Sequence, residues 1–419
     1  PGHRSLQHPA ARRTPRLLIA QALPGLSAGS GRADRLSQEL GSSMESILIV
    51  SGTRPEIIKL APLYHELKRQ PWARVVWLHT GQHAQMAEQI MGSFDIRPDL
   101  TLVRQGDSLL DFSLGCRAQL EAVLTGERWS TVVVQGDTES AFQGALAAFY
   151  NGVPVAHVEA GLRTYNLRRP FPEEGLRQMI GRITRFHFAP TARSRDALLS
   201  EGVSKQRIWV TGNTVVDAQQ WACEHRGIHR RASGRGHMLV TMHRRENWGQ
   251  DVEQVCRAIA QIARQHPELD VLFPVHLNPV VRGPVHELLA DLPNVRLTAP
   301  FDYLEMQQAL ADAWIVLTDS GGLQEEAPTF GVPLLVLREE TERPEALEAG
   351  CAGIVGTSTD AIVAHVNRLW NDPAEFRRMQ RAGNPFGDGT ASRQIVRHLA
   401  AELGVGHSSA VREQADVVA

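Results

Sequence analysis

The sequence predicts an α/β protein built from two doubly wound parallel sheets that face each other across a cleft. Three observations carry this reading. From Met44 onward, short apolar runs alternate with amphipathic stretches, the rhythm of parallel strands joined by crossover helices. That rhythm breaks off and restarts after a polar stretch rich in His, Arg and Gly. In both series the residues with chemistry to offer lie just beyond the apolar runs, where doubly wound sheets place their ligand loops.

Residues 1–43 differ in kind: they carry many Arg, Pro, Ser and Gly and show no sustained apolar periodicity. Met44 directly precedes the first strand and reads as the natural start, with 1–43 as leader or upstream sequence outside the fold. Ile47–Val50, Val75–Leu78, Thr131–Val134 and Val153–Val158 are the strands of the first series. Those of the second are Met238–Thr241, Val271–Val275, Val295–Leu297, Ile315–Thr318 and Pro333–Val336. Residues Thr211 through Ser233 read as the linker. The expected division is 44–211 and 212–383, with a helix within 384–404 packing back on the first domain and 405–419 as a frayed tail.

The formal net charge is −2, so the chain has no broad basic face for a nucleic acid, and any anionic ligand must be met locally. The four cysteines, Cys116, Cys223, Cys256 and Cys351, are scattered with no C-x-x-C pair. That pattern argues against a disulfide framework or zinc cluster and fits a reducing cytoplasm. No run approaches the ~20 apolar residues that span a bilayer. His79 and His83 have the spacing of a helical metal site, but Thr80-Gly81 between them marks a strand exit, so no metal is expected. The fingerprints of dinucleotide cofactors, P-loops and serine-hydrolase elbows are absent.

The most telling motif is Asp319-Ser320-Gly321-Gly322-Leu323-Gln324-Glu325-Glu326, which follows the run Trp314–Leu317. A Ser-Gly-Gly turn into a helix leaves backbone N–H groups unpaired where the helix dipole also favours an anion, a seat for a diphosphate. Arg54 and Lys59, after the first strand, would bring positive charge to the cleft; the alternative is a surface salt bridge to Glu56. Asp137 and Glu159 each end an apolar run, a costly place for a carboxylate unless it is paired or used. They cap helices or, with Glu173 and Glu174 on a following loop, perform acid/base chemistry. His243 and His276 follow strands of the second series in matching positions.

Taken in order, G-T-R-P-E at 52–56, T-G-Q-H at 80–83, G-D-T at 136–138, H-V-E-A-G-L-R-T at 157–164 and P-F-P-E-E at 170–174 form a specific series. It continues with T-G-N-T at 211–214, H-R-R-E at 243–246, P-V-H-L-N-P at 274–279, D-S-G-G-L-Q-E-E at 319–326 and T-E-R-P-E at 341–345. The chain from about Ile47 to Leu403 resembles the bacterial non-hydrolysing UDP-N-acetylglucosamine 2-epimerases, which have the two-domain fold of glycogen-phosphorylase-type (GT-B) glycosyltransferases.

The resemblance implies that Arg54, Lys59, His243, Ser320, Gly321, Gly322, Glu326 and Arg343 hold the UDP portion of a UDP-sugar, and that Asp137, Glu159 and Glu173 are the acid/base carboxylates, His243 also lying at the reacting centre. It implies a second UDP-sugar as activator at Gln82, His83, Gln85, Arg104 and His276, a homodimer, and no cofactor. The sequence departs from the family pattern at Gly175-Leu176 before Arg177 and at Cys351, where Thr is common. These departures leave open a UDP-diacetamido-uronic acid as substrate. A hydrolysing 2-epimerase, a glycosyltransferase of the same fold and a non-catalytic UDP-sugar sensor are the rival readings.

Overall fold

In the computed structural model, the described residues are 44–231, 234–244 and 249–405, apart from the side chains of 84–86. The expected leader 1–43 and the tail from 406 on lie outside them, as do Ser233, Asn247, and both Arg245 and Glu246 of the His-Arg-Arg-Glu motif. The chain opens with β1 (Glu45–Ser51), α1 (Arg54–Lys68), β2 (Ala73–His79), α2 (Ala84–Ser93) and β3 (Leu100–Thr101). There follow α3 (Leu109–Gly126), β4 (Thr131–Gln135), α4 (Glu139–Tyr150), β5 (Val155–Val158) and α5 (Glu173–Ile183). The first series closes with β6 (Phe186–Ala189), α6 (Ala192–Ser200), β7 (Ile208–Val210) and α7 (Thr214–Arg226).

The second series runs β8 (His237–Thr241), α8 (Gln250–Gln265), β9 (Val271–Pro274), α9 (Pro279–Leu289), β10 (Val295–Thr298) and α10 (Tyr303–Asp312). It ends with β11 (Ala313–Thr318), α11 (Gly321–Glu326), β12 (Leu334–Val336), α12 (Pro344–Glu348) and β13 (Ala352–Ile354). Three helices complete the described chain: α13 (Thr359–Asn371), α14 (Pro373–Gln380) and α15 (Ala391–Glu402). Both sheets are parallel, ordered β3-β2-β1-β4-β5-β6-β7 and β10-β9-β8-β11-β12-β13. Each therefore reverses direction once, between β1 and β4 and between β8 and β11, and a doubly wound sheet opens its ligand crevice at that point.

Alternation along the central strands explains why both faces of each sheet are covered. Ile47 and Ile49 join one apolar cluster with Ile57, Leu60 and Trp77, while Leu48 and Val50 join another with Phe112, Val132 and Val134. In the second sheet Leu239 and Val316 face the first of these clusters, whereas Met238, Val240, Ile315 and Leu317 pack with α8 residues Val255 and Ile259. Each fully buried Ile, Leu or Val contributes ~1.5–3 kcal/mol. One cluster is continuous between the two sheets, with Phe94 against both Trp221 (5.1 Å) and Tyr303 (5.2 Å).

The segment expected to be a linker is corrected by the structure, because 214–226 of it form α7. Asn213 caps this helix, and Val215, Val216, Ala218, Trp221 and Ala222 are buried. Its periodicity is blurred because Thr214, Asp217 and Gln219 are buried too, where the two halves meet. Helix α7 packs on α1, α10, α11 and α15. Helix α15 lies against α1 and α7, and the Asp217 carboxylate accepts its first N–H groups, from Ala391 at 3.2 Å and Ser392 at 2.7 Å. No described helix is long and apolar enough to cross a membrane.

Candidate active site

The first sheet delivers its polar residues where β1, β4 and β5 end. Glu56, in the first turn of α1, is fully buried; its carboxylate accepts from Gly52 N (3.0 Å), Thr53 N (2.7 Å) and Thr138 Oγ1 (2.7 Å). Burial pushes its carboxyl up to about 7 against the pull of these hydrogen bonds. Glu56 thus ties the loop after β1 to the loop after β4 and does not make the surface salt bridge considered for Arg54 and Lys59. Gly52 is required by close approach, since a Cβ there would stand 1.9 Å from Ser140 Oγ.

Lys59 turns inward. Its ammonium lies 2.6 Å from Glu159 Oε1 and 2.9 Å from Glu325 Oε2, so one cation joins carboxylates of both halves. Arg343, just ahead of α12, completes the cluster: its Nε is 2.5 Å from Glu325 Oε1 and a terminal nitrogen 3.8 Å from Glu159 Oε1. Glu159 is buried, has a positive φ of 66°, and accepts also from Asn213 Nδ2 (3.2 Å) and Gln135 Nε2. Burial raises its carboxyl above the ordinary value despite Lys59, and the nearby Glu325 raises it further. Neither Glu159 nor Asp137 caps a helix; Thr138 caps α4.

Asp137 pairs with Arg177 of α5 at 2.6 Å, and Arg177 also faces Glu174 at 3.4 Å. Glu173 and Glu174, expected on a loop, are instead the first two residues of α5, which places their side chains on different sides of the helix. Glu174 is buried and accepts from Thr164 N (2.9 Å), Tyr165 N (3.0 Å) and Gln178, which outweigh burial and hold its carboxyl below the usual range. The Glu173 side chain is partly exposed and has no hydrogen-bond or ion-pair partner among the described residues. The adjacent glutamates therefore separate into an anchor for the 164–172 loop and an uncommitted carboxylate.

At the switch point of the second sheet, buried Asp319 accepts from His243 N (3.2 Å), Arg244 N (3.0 Å) and His243 Nδ1 (3.1 Å). These interactions outweigh burial and keep Asp319 below the usual carboxylate range. They fix the loop after β8 to the turn after β11, with the His243 side chain half exposed. Ser320 caps α11, its Oγ accepting from Leu323 N at 3.4 Å while its own N–H donates to Thr318 Oγ1. The N–H groups of Gly321 and Gly322 find no acceptor among the described residues. The Arg244 guanidinium lies 3.5 Å from where a Cβ of Gly321 would stand.

Glu326 accepts from Gln307 Nε2 at 2.6 Å; burial pushes its carboxyl up to about 7, Glu325 adds to the rise, and the charges of Arg54 and Lys59 oppose it. Arg54, at the start of α1, thus acts across the seam. Of the group expected to take a second ligand, Gln82 and Arg104 are joined, Arg104 donating to the Gln82 carbonyl at 2.7 Å. The Gln82 side chain accepts from Ser140 Oγ (2.5 Å), and exposed His83 follows it, its N–H donating to Gly52 O at 3.1 Å. Gln85 lies in α2, its side chain outside the described residues. His276 belongs to the other half, after β9, where its Nδ1 accepts from Asn278 N at 3.1 Å. His79 is buried at the end of β2 and His83 stands beyond the turn at Gly81, so the two histidines do not share a helix.

Sequence reading missed Glu325, Asp319, Arg177, Gln135 and Asn213 as parts of this constellation. Glu325 and Asp319 lie inside the singled-out motif, but adjacent carboxylates on a helix differ in direction by about 100°, and sequence does not say which faces the seam.

Two parallel sheets whose strand-end loops meet through Lys59, Glu159, Glu325 and Arg343, with open backbone N–H groups at the turn into α11, define a GT-B-type protein. The family model described as UDP-N-acetylglucosamine 2-epimerase matches residues 65–400. A probable UDP-N-acetylglucosamine 2-epimerase of Ralstonia nicotianae is 45% identical over 372 residues, covering 85% of this chain and 99% of its own. The UDP-N-acetylglucosamine 2-epimerase of Escherichia coli is 42% identical over 367 residues, covering 84% and 98%. Among solved structures, the Neisseria meningitidis UDP-GlcNAc 2-epimerase bound to UDP-GlcNAc superposes with a TM-score of 0.79 at 38% identity, over 85% of this chain and all of that one. The chain belongs to the UDP-N-acetylglucosamine 2-epimerase family.

Proposed function

We propose that this protein interconverts UDP-N-acetylglucosamine and UDP-N-acetylmannosamine without a redox cofactor and without hydrolysis. The carrying observation is the convergence, through Lys59, of the carboxylate Glu159 of the first half with the second half's α11, whose opening turn offers the N–H groups of Gly321 and Gly322.

The C2–H of the sugar has no carbonyl beside it to acidify it, so its removal is coupled to departure of the group at C1. A carboxylate takes the C2 proton, the C2–H electron pair forms the C1=C2 bond, and the C1–O pair leaves with UDP. The products of this step are 2-acetamidoglucal and UDP. A proton delivered to the opposite face of C2 and return of the UDP oxygen to C1 complete the inversion. Asp137, Glu159 and Glu173 are the proposed proton-transfer groups, one face requiring a base and the other an acid.

Arg54, His243, Arg343 and the Ser320-Gly321-Gly322 turn stabilise the charge that develops on the leaving diphosphate. Glu326 takes the ribose, and Lys59 acts on both Glu159 and the diphosphate side of the seam. On this reading 44–211 with 384–404 form one domain and 212–383 the other, so closure over the glucal keeps it from solvent.

A second UDP-sugar at Gln82, His83, Gln85, Arg104 and His276 is proposed as activator, and the cytoplasm as location. For the homodimer, we assign the exposed face of α3 and α4, where Leu110, Leu114, Phe149 and Tyr150 are all more than half exposed and Arg117 lies over Tyr150.

Incubation with UDP-N-acetylglucosamine alone, followed by anion-exchange separation, tests the function. UDP-N-acetylmannosamine is the expected product. Free N-acetylmannosamine with UDP would make the enzyme a hydrolysing one, and conversion of only a UDP-diacetamido-uronate would move the substrate.

A further inference from the structure

Glu325 has no part in the scheme above, yet it is the most enclosed member of the charge cluster, its side chain 1% exposed. Its two oxygens divide between Lys59 at 2.9 Å and Arg343 at 2.5 Å. Burial would raise such a carboxyl, but Arg343 and Lys59 outweigh burial and hold it below the ordinary range, so it is ionised. The same two cations reach Glu159, at 2.6 and 3.8 Å. Two carboxylates from opposite halves thus share one pair of cations, and the four formal charges sum to zero.

We propose that Glu325 is a positioning residue: from the second half it draws Lys59 and Arg343 partly away from Glu159, and so sets the pH at which Glu159 exchanges its proton with C2. This rests on the acid/base role of Glu159 proposed above. The groups facing Glu159 are Lys59 of α1, Arg343 ahead of α12, Glu325 of α11, and the neutral amides of Gln135 at the end of β4 and Asn213 before α7. Glu326 lies within electrostatic reach of Glu325 and Lys59, and Arg54 within reach of Glu326.

The sign follows from charge. Glu325 is a negative neighbour that opposes ionisation of Glu159, and it also occupies cations that would otherwise favour the Glu159 carboxylate. Replacing Glu325 by a neutral isostere therefore makes Glu159 more acidic. A bridge that merely joined the halves would, when lost, lower activity equally at every pH.

The experiment is kcat against pH for wild type, Glu325→Gln and Glu325→Asp, with Glu159→Gln run beside them. The limb that reports Glu159 is expected to move to lower pH by about one unit in Glu325→Gln. In Glu325→Asp the charge is kept but withdrawn by one methylene, so the limb moves the same way by less; this variant decides the matter if the glutamine protein fails to fold. Lowered kcat with an unmoved limb overturns the proposal for Glu325. Near-wild-type turnover in Glu159→Gln overturns instead the acid/base reading on which it rests.

Discussion

The two sheets share one strand order but differ in what stands beyond their switch-point strands. After β1, β4 and β5 stand Glu56, Asp137 and Glu159, two of them raised above the usual carboxylate range by burial. After β8 and β11 stand His243, Arg244 and two glycines with open N–H groups, organised by the ionised Asp319. In the proposed function the same topology serves as a proton-handling wall in one half and an anion-holding wall in the other. A reaction that removes a proton at one sugar carbon while a diphosphate leaves its neighbour needs both, and neither half alone could provide it.

The contrast can be broken most severely on the carboxylate wall. Changing Asp137 to Asn or Glu173 to Gln should lower turnover more than tenfold while UDP affinity, measured by calorimetry, stays within about threefold. Equal losses of turnover and UDP binding would assign those residues to the anion-holding wall instead. On that wall, Gly321→Val places a side chain over the open N–H groups beside Arg244. UDP affinity should fall roughly tenfold, a loss of ~1.4 kcal/mol, with the melting temperature without ligand little changed.

A smaller effect is expected from Leu114→Asp, at an exposed position of α3. Light scattering should show a dimer for wild type and a monomer for the variant, with each chain still binding UDP. The smallest concerns Glu56, whose folded-state pKa of about 7 lies above the ordinary 4.5. Because the proton favours the folded state, its contribution is full below the unfolded value and is lost as pH rises toward 7. Glu56→Gln should therefore show less fall in melting temperature between pH 5 and 8 than wild type.

How far the sequence reveals this arrangement depends on whether burial and periodicity agree. The central strands β1, β4, β8 and β11 are long apolar runs buried on both faces, and they stand out. Strands β3, β6, β7 and β13 do not, being two to four residues long, with His187 inside β6 and Gly353 inside β13. Helix α7 is hidden for another reason: at the seam its polar residues are buried along with its apolar ones. In the site, position past a strand end was visible for Asp137, Glu159 and His243. The pairing partners, Arg177 for Asp137 and Glu325 for Lys59, come from distant segments and are set by packing alone.

The most direct measurement is proton NMR in deuterated water with UDP-N-acetylglucosamine, wild type against Glu159→Gln, with no cofactor or acceptor added. The proposed elimination gives UDP-N-acetylmannosamine carrying deuterium at C2 with wild type, and that exchange is expected to fall ~100-fold or more in the variant, with UDP still bound. Epimer formed with protium retained at C2, or exchange in the variant at the wild-type rate, would contradict it.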